Sequence, residues 1–175
     1  MLFRGKQPEA SIWRRFRAST EAFTFVDEDG VHTAHIIANA ERVVELFWML
    51  IQLLPPAVDL HIDDLRSGRS WHGESLAIGD VRDMLAKLRL LLARFGGTQV
   101  SVYTSDDQLS LNEHLELYIY SKSDKWLYLL EGRGLEEVSE LEEKSWRIGR
   151  HAFPPAPDLV NALSAAGERL GLARA

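Results

Sequence analysis

The chain contains no cysteine. That excludes disulfides, thiolate metal sites and a cysteine nucleophile, and it suits a reducing cytoplasm. Also missing are a phosphate loop ending in Gly-Lys-Ser/Thr, an HExxH helix and a GxSxG elbow. Common signatures of nucleotide binding, zinc proteolysis and serine hydrolysis are therefore absent. The pair Gly96-Gly97 follows a helical stretch, where it caps and turns rather than opening a helix toward phosphate. No apolar run approaches the roughly 20 residues of a membrane helix, and residues 1–20 lack the apolar core of a secretory leader. No membrane association and no leader are expected, and no internal repeat or low-complexity tract is visible.

Net positive charge is confined to the start. Residues 1–20 hold Arg4, Lys6, Arg14, Arg15 and Arg17 against Glu9 alone, a net +4, so with −6 for the whole chain the remainder carries −10. A body this acidic repels phosphate backbones, and nucleic-acid binding is not expected. Ile12, Trp13 and Phe16 interleave with the arginines, which reads as an arm whose aromatics pack on the body. A length of 175 residues with 46% hydrophobic content fits one domain. The expected division is a basic arm, 1–20, and a single domain, 21–175.

The apolar pattern organises that domain. In residues 39–55, Val43, Leu46, Phe47, Leu50, Ile51 and Leu54 recur at helical spacing, between Asn39 as N-cap and the stop at Pro55-Pro56. Trp48 and Met49 add an apolar strip on another side, which predicts a homodimer contact at Trp48 and Met49. A second helix over 80–95 carries Val81, Met84, Leu85, Leu88, Leu91, Leu92 and Phe95 on one stripe, with Asp80 as its cap. Strands 22–28 and 31–37 flank Asp29-Gly30, a strong hairpin signal that places Phe23, Phe25, Ala34 and Ile36 on the core side.

A second hairpin turns on Ser67-Gly68. Short strands follow over 98–104 and near Leu109 and Leu111, then a third hairpin pairs 114–120 with 125–131. Acidic helical turns over 136–143, a last strand over 146–150 and a proline-led closing helix complete the reading. The fold class is α+β: a mostly antiparallel sheet built from hairpins, two long helices packed on one face and a C-terminal helix.

Two sets of residues could carry function. Asp59, His61 and Asp63 alternate along one strand, and a turn at Ser67-Gly68 brings His72 opposite Asp63 and Glu74 opposite His61. Such a His/carboxylate patch is the chemistry of a zinc or manganese site, or of a general base beside a carboxylate. The second set, Tyr118, Tyr120, Trp126 and Tyr128, concentrates aromatics in one hairpin, with Tyr103 on a neighbouring strand, as partner-binding surfaces do.

The missing catalytic motifs and the acidic, aromatic character favour a non-enzymatic protein-binding or regulatory role without a cofactor. Immunity proteins and adaptors offer an analogy from charge alone. One alternative is a metal-dependent or acid-base hydrolase using the hairpin patch. Another is a small-ligand carrier with a pocket between sheet and helices.

Overall fold

The computed structural model describes residues 21–141 and 153–175. The basic arm, 1–20, and the expected strand over 146–150 lie outside them. The described elements run β1 (Ala22–Glu28), β2 (Val31–Ile37), α1 (Ala40–Ile51), β3 (Ala57–Asp64), β4 (Arg69–Ala77), α2 (Ile78–Phe95), β5 (Thr98–Tyr103), β6 (Asp107–Leu111), β7 (Leu117–Ser121), α3 (Lys125–Glu131), β8 (Glu136–Glu137), α4 (Pro157–Leu170) and β9 (Ala173–Arg174). The strands form one sheet in the order β8-β1-β2-β7-β6-β5-β3-β4-β9. Every pairing is antiparallel except β1 with β8.

The first hairpin forms at the expected register, with Phe23 opposite Ile36 and Phe25 opposite Ala34. Asp29 and Gly30 both take positive φ, 54° and 81°, the backbone that a two-residue turn matched to strand twist requires. In the second hairpin the pairing differs by two residues: His61 faces His72 and Asp63 faces Ser70. The turn is longer than Ser67-Gly68 alone because the Asp64 carboxylate organises it. That carboxylate accepts from the Ser67 amide at 3.0 Å, and the Asp64 carbonyl accepts from the Gly68 amide at 2.9 Å.

The third expected hairpin is corrected. β7 pairs with β6 and β2, while residues 125–131 form helix α3 rather than a return strand. Trp126 and Leu130, four apart, both enter the core, which a helix permits and a strand of that register also would, so burial alone could not decide. Trp126 Nε1 donates to Asp107 at 2.8 Å, which ties the helix to β6. The acidic segment is likewise a short strand at Glu136–Glu137, on the edge beside β1.

One face of the sheet and the inner faces of the helices share a single core. Phe23, Ile36, Leu60, Ile62, Val100, Val102, Leu109, Leu117 and Ile119 meet α1 through Leu46, Phe47 and Leu50, and α2 through Met84, Leu85 and Leu88. α4 comes close enough to β4 that a side chain on Gly167 would collide with Trp71, 2.6 Å from its nearest ring atom. Among the described residues the opposite strand face contributes nothing to this core; Ala22 and Ile37 are buried at one end outside it. No described helix is long and apolar enough to cross a membrane.

Candidate functional site

Period-two alternation puts everything that is not core on the other side of each strand. Strand order then assembles two cross-strand rows on this face, which no described helix covers and which is called the helix-free face in that sense. The first runs Thr24, His35, Tyr118, Ser110, Ser101, His61 and His72 through successive pairings. The second, beside it, runs Thr33, Tyr120, Gln108, Tyr103 and Asp59. Three tyrosines, three histidines and the carboxylates of Asp59 and Asp63 thus share one surface. No described strand places a lysine or arginine there.

The rings are ordered against one another. His35 stacks on Tyr118 at 4.2 Å between centroids with 11° between planes, and Tyr118 lies parallel to Tyr120 at 6.3 Å. Toward the centre, Ser101 and Ser110 hydroxyls are 2.8 Å apart, and Gln108 Nε2 donates to Ser110 at 2.9 Å. The His35 Nε2 atom is buried, 3.7 Å from a Glu116 carboxylate oxygen, which is beyond hydrogen-bond reach. Cross-strand stacking of this kind holds aromatic planes in fixed positions, which lowers the entropy cost of presenting them to a partner.

The expected partner-binding residues therefore divide. Tyr118 and Tyr120 lie on the helix-free face, with Tyr120 37% exposed. Trp126 is fully buried and belongs to the core. Tyr128 is exposed on α3, away from the sheet face. Tyr103 joins Tyr118 and Tyr120 from β5, and His35 is the residue that sequence reasoning did not join to the site. The non-consecutive pairing of β2 with β7 brings His35 there, and the consecutive pairings of β5 with β6 and β6 with β7 bring Tyr103.

The metal patch does not assemble. His61 and His72 face one another with rings 6.4 Å apart and nearly parallel, so their nitrogens do not converge. Asp63 sits 3.1 Å from His61 Nε2, and its other carboxylate oxygen accepts from the Ser70 hydroxyl. Asp59 is engaged at a β4 bulge, accepting from the Ser75 amide at 2.8 Å, with Ser75 at φ 52°. Glu74 is exposed in that same irregular stretch. Among the described residues no three His, Asp or Glu side chains form a group able to hold a metal ion. A histidine beside a carboxylate, the arrangement expected for a general base, does form at His61 and Asp63, but Ser70 is not in line for activation by it. The order Ser70–Asp63–His61 puts the carboxylate between hydroxyl and imidazole, whereas nucleophile activation needs the imidazole in the middle.

Trp48, expected on an outer strip, is taken up by its own chain. Its Nε1 donates to the Arg82 carbonyl at 3.0 Å, and the Arg82 and Arg89 guanidiniums lie 5.2 and 4.6 Å from its ring centroid. Met49 is half-buried beside it.

Two buried charge clusters anchor opposite ends of the framework. Asp64 accepts from Arg66 at 2.8 Å and Thr98 at 2.9 Å. Arg66 passes on to the carbonyls of Phe95, Gly96 and Pro154, so one cation closes the C-terminus of α2. Burial lowers the Arg66 pKa against the opposing pull of Asp64. At the other end burial pushes Asp107 up, but donors from Ser121, Trp126 and Lys125 outweigh it and hold the carboxyl below its ordinary range. An open hollow of about 550 Å³ beside this cluster is lined by Leu53, Pro55, Thr104, Lys122 and Lys125 among others. Its lysines are paired, Lys122 to Asp106 at 3.3 Å and Lys125 to Asp107 at 3.1 Å, so they brace the hollow rather than await a ligand.

No protein-family model, curated protein or solved structure matches this chain.

Proposed function

We propose that the protein is a non-enzymatic binding protein of the reducing cytoplasm, acting as a homodimer, that takes a basic protein partner on its helix-free sheet face. One observation carries the reading: that face combines Tyr103, Tyr118 and Tyr120 with Asp59 and Asp63, and no described strand places a cation on it. Tyrosine gives a large apolar body and one polar handle at little conformational cost, the property that enriches it at interfaces. Guanidinium groups stack on such rings and pair with carboxylates, and the acidic field speeds encounter with a cationic surface. Neutralising a basic partner, as an immunity protein or adaptor does, is the role by analogy.

The test is capture from extract of the native cell with the full chain as bait, beside two variants. Tyr103→Ser/Tyr120→Ser/Asp59→Asn alters the helix-free face, and Glu136→Gln/Glu137→Gln removes charge at the sheet edge. The expected result is a basic protein held by wild type and by the edge variant, lost by the face variant. It should be released as salt rises from about 50 to 300 mM, where screening shortens to several ångströms. Equal capture by wild type and face variant overturns the reading.

A further inference from the structure

We propose that the outer side of the α1–α2 pair is the surface through which two copies of this chain join about a two-fold axis. The proposal deepens the homodimer part of the reading above and rests on it. Glu41, Glu45 and Trp48 follow one another along α1 at four- and three-residue spacing and so share one side of the helix. Facing them, α2 presents Arg82 and Arg89, both resting on the Trp48 indole. An open groove of about 200 Å³ runs between the helices, lined by Glu41, Val44, Glu45, Arg89, Leu90 and Ala93.

Acid and base line this groove without meeting. Among the described residues no ion pair joins Arg89 to Glu41 or Glu45, and the carboxylate of Glu45 is only loosely paired, 3.8 Å from Arg42. The Arg82 Nε atom is buried with no acceptor. Beside these groups Leu90 is 78% exposed, more than any other large hydrophobic side chain among the described residues. An isolated exposed leucine means little. Here it stands at the lip of a groove with apolar walls and charged rims of both signs.

Such a surface is complementary to itself. In a two-fold contact, whatever one copy offers, the other offers in return. A half-turn sets Arg89 against Glu45 of the second copy and Glu45 against its Arg89, while each Leu90 enters the other's groove beside Val44 and Ala93. A purely basic partner would be repelled by the arginines and a purely acidic one by the glutamates; a second copy satisfies both. The two-helix face measures roughly 25 by 20 Å, on the order of 500 Å² per copy and 1,000 Å² for the pair, the low end for a specific interface. Association in the micromolar range follows.

Sedimentation equilibrium of the full chain from about 5 to 200 µM spans that range. Wild type is expected to pass from monomer to dimer. Arg89→Glu and Glu45→Arg should each be monomeric, because each sets like charges together, and an equimolar mixture of the two should form a heterodimer. Leu90→Ser, at a position too exposed to affect folding, should weaken association about tenfold. A wild type that stays monomeric throughout overturns this interface and the homodimer reading together. A dimer indifferent to all three substitutions, or charge variants that fail to pair when mixed, overturns the interface and leaves self-association to another surface.

Discussion

The two faces of the sheet are made from the same strands and answer to different constraints. On the helix-covered face almost every position is aliphatic or Phe and nearly inaccessible, from Phe23 on β1 to Ile62 on β3. On the other face the same strands alternate to Thr, Ser, Gln, His, Tyr and Asp, partly exposed and hydrogen-bonded along rows. Charge divides in the same way: Arg82, Lys87, Arg89 and Arg94 sit on α2, while no described strand contributes a cation to the helix-free face. Stability thus resides on one side, and the other is the side proposed above to recognise a partner. Substitutions should sort by face, with large losses of stability on the covered side and small ones on the open side.

The largest effect belongs to the buried ion pair at the edge of the covered face. Asp64→Ala leaves Arg66 charged, its side chain only 6% exposed, with no carboxylate in reach. Removing one partner of a buried pair costs about 3–5 kcal/mol, because the remaining charge loses its compensation. Urea denaturation at one fixed protomer concentration measures this, and a loss below about 1 kcal/mol would mean that water reaches Arg66 and the anchor is not buried in solution.

Next comes α2, where the comparison can be made within one turn. Leu88→Ala opens a cavity under the sheet and should cost about 2–5 kcal/mol, whereas Lys87→Ala, on the exposed side, should stay within about 0.5 kcal/mol. Equal losses would place the apolar stripe of α2 somewhere other than against the core.

How much of this was legible in the sequence depends on whether the deciding contact was local. The first hairpin could be read because Asp29-Gly30 alone fixes its turn and the register follows. The α2 stripe could be read because its period is internal to the helix. The register of the second hairpin could not, since Arg66 in its turn is held by Phe95, Gly96 and Pro154 far along the chain. Residues 125–131 alternate Trp, Tyr and Leu well enough to pass for a strand; the Asp107 carboxylate that receives Trp126 sits 19 residues earlier. The candidate face was half-legible for the same reason. Tyr118 and Tyr120 alternate on one strand and Tyr103 follows through the β5-β6-β7 meander, but His35 joins them only because β7 lies beside β2.

The smallest effect is expected where sequence spacing alone suggested a metal. His61→Ala/Asp63→Ala removes an imidazole 44% exposed and a carboxylate 32% exposed, whose mutual contact at 3.1 Å is a surface pair. Surface pairs contribute about 0–1 kcal/mol, and their cross-strand neighbours Ser70 and His72 can turn to water instead. Stability should therefore change by no more than about 0.5–1 kcal/mol, several-fold below the loss from Asp64→Ala at the next residue of the same strand. Calorimetric titration of zinc and manganese into wild type and double variant should give the same heats, with no saturation up to about 1 mM, since two nearly parallel rings and one carboxylate do not converge on a point. Saturable heat in wild type alone would show that Asp59 and Glu74 swing in from the bulge to complete a site. That result would move chemistry onto the open face and narrow the contrast between the two sides. Identical heats, with the melting temperature unmoved by metal, keep that face as a surface for a partner.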